Sequence, residues 1–261
     1  MLIIGDDTPF PPTNDLRCGT LRRDYNRVPY GSLEFAPSMA VTTIPMSEWP
    51  DRIADLERQK ATLQHVWADA GIGVWNQGQV GYCHAFSAVM AVAVQRAMMG
   101  LPFKSLSASS VGGPVTGWRN AGAYIHDDLK QMVSYGVSTT DFVPMLTTRL
   151  SDAKPGWRED AMKNRVVEFF DVPPRDFRVH GSLLLQLIPV SVGLNYWGHA
   201  VADLVLRDVY PAKAATDMER YGVEFLNSWG DNWGEKGWAV RVGSRKLADA
   251  IYAVRQSSIG V

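Results

Sequence analysis

The sequence predicts an α+β protein built from two lobes, with helices concentrated in the first half of the chain and strands in the second. A long apolar stretch without strict alternation occupies residues 83–99, which favours a buried helix. After about residue 175, short runs rich in valine and aromatic residues are separated by glycine, aspartate and asparagine turns, which favours strands. Segregated helices and strands of this kind are typical of the α+β class.

The size and composition are those of an ordinary globular protein. The chain has 261 residues, of which 46% are hydrophobic and 20% charged, so it is long enough for a substantial core. The 26 lysines and arginines nearly balance the 27 aspartates and glutamates, leaving a net charge of −1 with histidine neutral. Because nucleic-acid-binding domains are usually basic, we expect no nucleic-acid partner.

The cysteine and histidine content excludes several kinds of site. Cys18 and Cys83 are the only cysteines, too few for a disulfide-stapled scaffold or a four-cysteine zinc site. His65, His126 and His180 lack the spacing of metal ligands, so we expect neither a metal nor another cofactor.

The start of the chain gives no targeting signal. Residues 1–7 have no basic region and become acidic after four residues, unlike a secretory signal. The longest apolar runs, residues 85–94 and 183–194, fall far short of the ~20 residues that cross a bilayer. We therefore expect a cytoplasmic or virion-associated protein with no membrane role.

Residues 1–45 are expected to form an extended N-terminal arm and residues 46–261 the folded domain. The arm is rich in proline, glycine, aspartate, asparagine and threonine, and shows no period of 2 or 3.6 residues. A capped helix is predicted from near Ser47 to about Trp67.

The clearest element is the helix that begins at Cys83 and ends before Gly100. It is apolar on nearly every side, which predicts a position inside the core and places Cys83 in its first turn. Further helices are expected over residues 121–135 and 157–169, and strands over residues 190–196, 200–206, 223–226 and 238–242.

Three short segments carry the chemistry. They are Asn-Gln-Gly-Gln-Val-Gly-Tyr-Cys-His-Ala-Phe-Ser at residues 76–87, Gly-His-Ala-Val at 198–201 and Asn-Ser-Trp-Gly-Asp-Asn-Trp-Gly at 227–234. With these motifs in this order, the chain resembles the papain-like cysteine peptidases, the family of papain and the cathepsins. The resemblance covers roughly residues 70–245, is loose between the motifs, and suggests a divergent bacterial or phage member.

The resemblance implies the papain-like fold and its hydrolase chemistry. A helical lobe over about residues 70–175 and an antiparallel β lobe over about 176–245 would enclose a cleft, with the terminal segments crossing between them. A thiol becomes a strong nucleophile when it ionises, and a helix N-terminus and a neighbouring imidazolium both lower a thiol pKa. Cys83 would be the nucleophile of this thiol protease and His199 its proton donor and acceptor.

Three further residues complete the implied site. Asn227 would orient the imidazole ring of His199, and Trp229 would shield their hydrogen bond from water. Gln77 would supply the side-chain donor of an oxyanion hole beside the Cys83 backbone.

A weaker match suggests how substrate binds. Arg-Asn-Ala-Gly-Ala-Tyr at residues 119–124 stands where the family has Gly-Cys-x-Gly-Gly-Tyr. Gly122 and Ala123 would then offer backbone hydrogen bonds to an extended peptide. Ile125 and Ala200 would line an apolar pocket for the second side chain before the scissile bond.

The chain also departs from the family pattern. Val80 and Asn120 occupy the positions of the family's disulfide partners, which agrees with a reducing compartment. His84 stands where tryptophan is usual, and we expect it at the edge of the cleft. Cys18 is expected to be a spectator thiol, and Asp127-Asp128 a solvated helix face.

Two kinds of function fit the sequence. The first is an endopeptidase that works through an acyl-enzyme on Cys83, with transfer of the acyl group to an amine as a variant of the same chemistry. The second is a structural or assembly component, such as a phage or viral particle protein, that keeps the fold with little activity. Residues 1–45 would cover the cleft or contact an assembly partner; an open cleft would favour the enzyme and a plugged one the structural role.

Overall fold

The fold is built around one sheet of seven strands among the described residues. The structure is a computed structural model that describes residues 1–10, 15–38 and 41–257. The strands are β1 (Ile3–Ile4), β2 (Val166–Val172), β3 (Val190–Leu194), β4 (His199–Asp208), β5 (Tyr221–Leu226), β6 (Trp238–Arg241) and β7 (Ala250–Ser257). Their order across the sheet is β1-β6-β5-β4-β3-β7-β2. All neighbouring pairs are antiparallel except β1 with β6.

The helices of the described residues lie before β2 with one exception. They are α1 (Trp49–Arg58), α2 (Leu63–Asp69), α3 (Cys83–Met98), α4 (Ser109–Thr116), α5 (Ile125–Tyr135), α6 (Trp157–Met162) and α7 (Phe177–Leu185). Short 3-10 turns occur at Met46–Glu48, Leu150–Asp152, Met218–Arg220 and Gly243–Lys246. None of the helices in these ranges is long and apolar enough to cross a membrane.

The α3 helix is the centre of the core, as its apolar surface predicts. It packs against β3, β4 and β7 as well as α2, α4 and α5. Alternate residues of β4 point to opposite faces of the sheet. Ala200 and Ala202 join the cluster around α3, whereas Val201 joins a second cluster that includes Trp49 of α1 and Phe177 of α7. The predicted α+β class is confirmed, and α3 packs directly on β4.

Three predicted helices differ from those observed. The helix expected over residues 47–67 is divided into α1 and α2, because Lys60 adopts a φ of 51° that an α-helix cannot accommodate. The helix expected from residue 121 begins at Ile125, because Ala123 pairs with Thr20 in an extended conformation. The helix expected to reach residue 169 ends at Met162, and the following residues form β2 through pairing with distant β7.

The described part of residues 1–45 contains β1, turns and isolated bridges only. Its separation from the rest of the chain as an arm stays a prediction. Much of this segment nevertheless contacts the folded domain, and residues 15–23, which we name the strap, lie in the functional site.

Candidate active site

Cys83 lies at the first position of α3 and is fully buried. The loop before it is fixed from two directions. The backbone N–H of Gln77 donates to the carbonyl of Ser228 at 2.7 Å, and the N–H of Gly81 donates to Oδ1 of Asn120 at 2.7 Å. Asn120 therefore ties its own loop to the loop before α3 with a hydrogen bond.

His199 is the first residue of β4 and is fully buried. Its Nε2 lies 2.8 Å from Oδ1 of Asn227, and its other ring nitrogen, Nδ1, is buried with no hydrogen-bond partner among the described residues. The ring contacts both Trp197 and Trp229, with centroid separations of 4.7 and 4.8 Å, and these two indoles also contact each other. Burial lowers the pKa of His199 to about 4, although the hydrogen bond with Asn227 opposes this shift.

Asn227 follows directly after β5 and is held by two backbone contacts. Its N–H donates to the carbonyl of Gly237 at 2.9 Å, and its Oδ1 also accepts the N–H of Ser228 at 2.8 Å. The amide oxygen is therefore fixed towards His199. Trp229 is largely buried and its ring lies beside that of His199, whereas the shielding of the His199–Asn227 hydrogen bond from water stays a prediction.

Gln77 is fully buried, and both ends of its amide are occupied. Its Oε1 accepts a hydrogen bond from the hydroxyl of Ser228. Its Nε2 donates to the carbonyl of Val80 at 2.6 Å and to the carbonyl of Arg17 at 3.1 Å. The donor expected to stabilise an oxyanion thus binds a peptide carbonyl of the strap.

The strap covers Cys83 directly. The backbone N–H of Gly19 donates to Sγ of Cys83 at 3.2 Å, and the Thr20 hydroxyl lies at the same distance from this sulfur. The Thr20 N–H donates to the carbonyl of Gly198, the residue before the histidine, at 3.2 Å. The thiol is therefore closed off by backbone and side chain together.

The expected substrate-binding backbone also holds the strap. The N–H of Ala123 donates to the carbonyl of Gly19 at 2.9 Å, and the Leu21 N–H donates to the carbonyl of Ala123 at 3.0 Å. A Cβ added to Gly122 would lie 2.2 Å from the Gly19 carbonyl oxygen, so this approach requires glycine.

These contacts also fix the direction of the strap across the site. Its carbonyl at Gln77 belongs to Arg17, and its contacts with Ala123 come later in the chain, at Gly19 and Leu21.

Ile125 and Ala200, the two residues expected to line the apolar pocket, lie in different surroundings from each other. Ile125 lines a small cavity together with Thr20, Leu21 and Gly193 of β3. Ala200 is fully buried in the cluster around α3 and is not among the residues lining that cavity. Gly193 was not foreseen, because its place opposite Ile125 depends on how the sheet is assembled.

Arginine residues anchor the strap on both sides of the thiol. The guanidinium of Arg17 lies 4.0 Å above the Trp229 ring and forms an ion pair with Asp15 at 2.7 Å. Arg23 makes a buried two-pronged contact with the Asp171 carboxylate of β2, at 2.7 and 2.8 Å. Trp229 and Asp171 are far from the strap in the sequence, and no local pattern indicates their contacts with it.

Two expectations near the site are wrong. His84 is fully buried rather than at the cleft edge, and Asp128 is fully buried rather than solvated. The two side chains meet at 2.7 Å, from Nδ1 of His84 to Oδ2 of Asp128, and join α3 to α5. Burial opposes a charge on His84, but the carboxylate beside it outweighs this effect and raises the pKa of His84.

No metal centre is indicated in the part of the chain that the structure describes. No group of three or more histidine, cysteine, aspartate or glutamate side chains in these residues is placed to hold an ion.

Comparisons with known proteins support the fold. No family profile and no curated protein matches the sequence. Among solved structures, xylellain, a cysteine protease from Xylella fastidiosa, is similar with a TM-score of 0.56 and 18% identity, covering 71% of this chain and 83% of that one.

Two further structures are similar at the same level. Digestive procathepsin L 3 of the Tenebrio molitor larval midgut has a TM-score of 0.60 and 18% identity, covering 92% of this chain and 77% of that one. Bromelain from Ananas comosus, solved with the E64 inhibitor, has a TM-score of 0.57 and 19% identity, covering 73% of this chain and 97% of that one. The chain therefore has the fold of the papain-like cysteine proteases.

Proposed function

We propose that the protein is a thiol-dependent endopeptidase whose cleft is closed by its own strap. The observation that carries the proposal is that a peptide segment already lies across Cys83. Its backbone is hydrogen-bonded by Gln77, Gly198 and Ala123, so the cleft has the groups needed to bind an extended peptide.

The arrangement supports acyl transfer through Cys83. The thiolate of Cys83 would attack a substrate carbonyl while Gln77 stabilises the negative charge that develops on its oxygen. His199, oriented by Asn227, would give a proton to the leaving amine and then activate the water that releases the acyl group. With an amine in place of water, the same steps would transfer the acyl group instead.

The closed strap keeps this machinery at rest. With the strap in place, the pKa of His199 is about 4, so its ring is neutral near pH 7 and does not form an ion pair with a thiolate. Departure of the strap would admit water to the ring and remove the cause of this shift. Activity is therefore expected to follow the fraction of molecules in which the strap is open.

The structural or assembly role is the second candidate, and the plugged cleft is the observation that favours it. In that case the strap would be a permanent part of the fold, fixed by Arg23 and Asp171. The two candidates differ in whether Cys83 can be made reactive when the strap is displaced.

A thiol-directed epoxide such as the E64 class tests the proposal. We expect slow labelling of Cys83 near neutral pH, with a rate that falls at least tenfold in His199→Ala because the thiolate loses its partner. Cys83→Ser should abolish labelling, and Cys18→Ser is the matched control that should retain it under reducing conditions. Labelling that is absent even when the strap is displaced, as by Gly19→Ala, or that is unaffected by His199→Ala, would exclude the enzyme and leave the structural candidate.

The reaction type is tested with peptide substrates and mass spectrometry of the products. Cleavage to a free carboxylate supports hydrolysis, and incorporation of an added amine supports acyl transfer.

A further inference from the structure

The two cysteines of the chain meet at the same place, although 65 residues separate position 18 from position 83. Cys18 directly precedes Gly19, whose backbone nitrogen lies 3.2 Å from Sγ of Cys83. The strap therefore carries the chain's other thiol to the nucleophile.

The separation is within reach of a disulfide after a small adjustment. The α-carbon of Cys18 is two covalent bonds from the Gly19 nitrogen, so it lies no more than about 5.6 Å from Sγ of Cys83. In a disulfide, the α-carbons are usually about 4.4–6.8 Å apart, which puts each α-carbon roughly 4 Å from the opposite sulfur. A shift of one to two ångströms in a segment without regular secondary structure would be enough, on the order of a side-chain rotation.

The surroundings of Cys18 favour the thiol over the thiolate. Cys18 is half-buried, and a Cβ added to Gly198 would lie 3.9 Å from the Cys18 Cβ. Burial first, and then the charge of Cys83, raise the pKa of Cys18 to about 12. The second contribution disappears when Cys83 becomes part of a disulfide, so Cys18 is then better able to react with it.

We propose that Cys18 and Cys83 form an intramolecular disulfide when the protein meets a low-molecular-weight disulfide such as oxidised glutathione. When the strap opens, the thiolate of Cys83 attacks one sulfur of the oxidant, which forms a mixed disulfide and releases one thiol. Closure of the strap then brings Cys18 back to this sulfur. Cys18 then loses its proton, attacks Sγ of Cys83 and releases the second thiol. The protein loses two protons and two electrons, and the oxidant gains them as two thiols.

The bridge would fix the strap over the cleft covalently and protect Cys83 from further oxidation. Its effect on peptidase activity rests on the proposed function, but its formation does not. Reduction would restore both thiols, so the same pair would couple the closed state to the redox conditions around the protein.

The test is incubation of the dilute full-length protein with oxidised glutathione, followed by blocking of free thiols and peptide mapping without reductant. We expect a Cys18–Cys83 linked peptide as the main product, an intact mass lower by two hydrogens, and loss of the linkage on reduction. Cys18→Ser should instead stop at a mixed disulfide on Cys83, and circular dichroism checks that this variant is folded.

A matched variant moves the thiol along the strap. In Cys18→Ser/Arg22→Cys, the new thiol lies on the far side of Gly19, where the Arg22 side chain now contacts the carbonyl of Asn195. We expect at least tenfold less intramolecular bridge from this variant than from the wild type, because the thiol is no longer next to Sγ of Cys83.

The outcomes separate the two proposals. A mixed disulfide alone in the wild type, a linkage between two chains, or equal bridging by the matched variant overturns this inference. A bridge in a protein that never labels with the epoxide would sustain this inference and remove the proposed function.

Discussion

Gly19→Ala tests whether the strap closes the cleft. A Cβ added at this position would lie 1.9 Å from the carbonyl oxygen of Gly81, and real Cβ atoms essentially never approach within 3.0 Å of a neighbour. The Gly81 oxygen belongs to the backbone and cannot rotate aside as a flexible side chain could, so the strap has to move away from it. Gly19 then loses its hydrogen bonds with Sγ of Cys83 and with the N–H of Ala123. The change alters no residue assigned to catalysis.

The size of the effect follows from these two hydrogen bonds. At a net value of about 1 kcal/mol each, their loss disfavours the closed strap by about 2 kcal/mol. Since ~1.4 kcal/mol corresponds to a factor of ten, the fraction of molecules with an open strap rises about 30-fold. The increase is smaller only if the strap becomes open in nearly all molecules.

The assay is the rate of epoxide labelling of Cys83 near neutral pH, followed by intact mass spectrometry. Gly5→Ala is the matched control, because its added Cβ would make only an ordinary contact of 3.7 Å with Val242. An unchanged labelling rate in a folded Gly19→Ala protein, or an equal increase in the control, would refute closure by the strap.

Two further predictions concern buried titratable groups. Because the pKa of His199 is lowered to about 4 from an ordinary value near 6.5, the folded chain binds fewer protons than the unfolded chain between these values, so stability falls as the pH drops through this window. Lowering the pH from 7 to 5 should therefore reduce the unfolding free energy of the wild type by about 2 kcal/mol more than that of His199→Gln. Urea melts at both pH values measure this, and an equal loss of stability in the two proteins would contradict the prediction. Asp128→Asn should cost about 3 kcal/mol in urea unfolding, because His84 keeps a buried ring without its carboxylate. Adding His84→Gln should recover part of that loss, and a purely additive double variant would show that the two side chains do not interact.

Local patterns predicted the elements that depend on neighbours in the sequence. The apolar stretch from Cys83 predicted α3 and its burial, and the glycine-bounded runs predicted β3, β4, β5 and β6 within a few residues. The motifs around Gln77, Cys83, His199 and Asn227 selected side chains that the structure brings into one site. Each of these patterns lies within a short segment, so it is visible without a fold.

Other features depended on segments far apart in the chain. Residues 166–172 form β2 by pairing with β7, whereas the predicted helix extended to residue 169. Asp128 has the sequence context of an exposed helix face, yet α5 turns it towards His84 on α3. The charge of Asp128 gave no indication that it is buried, because its partner His84 comes from another helix.

By itself, the sequence determined the class of the fold, the buried helix and the chemical groups of the site, since these rest on local periodicity and on short motifs. Only the tertiary structure decided what lies over the thiol. Hydrogen bonds from Gly19 and Thr20 to Cys83, and the ion pair of Arg23 with Asp171, hold the strap in the cleft. These contacts join residues more than 60 positions apart, so they exist only once the sheet and α3 have been assembled.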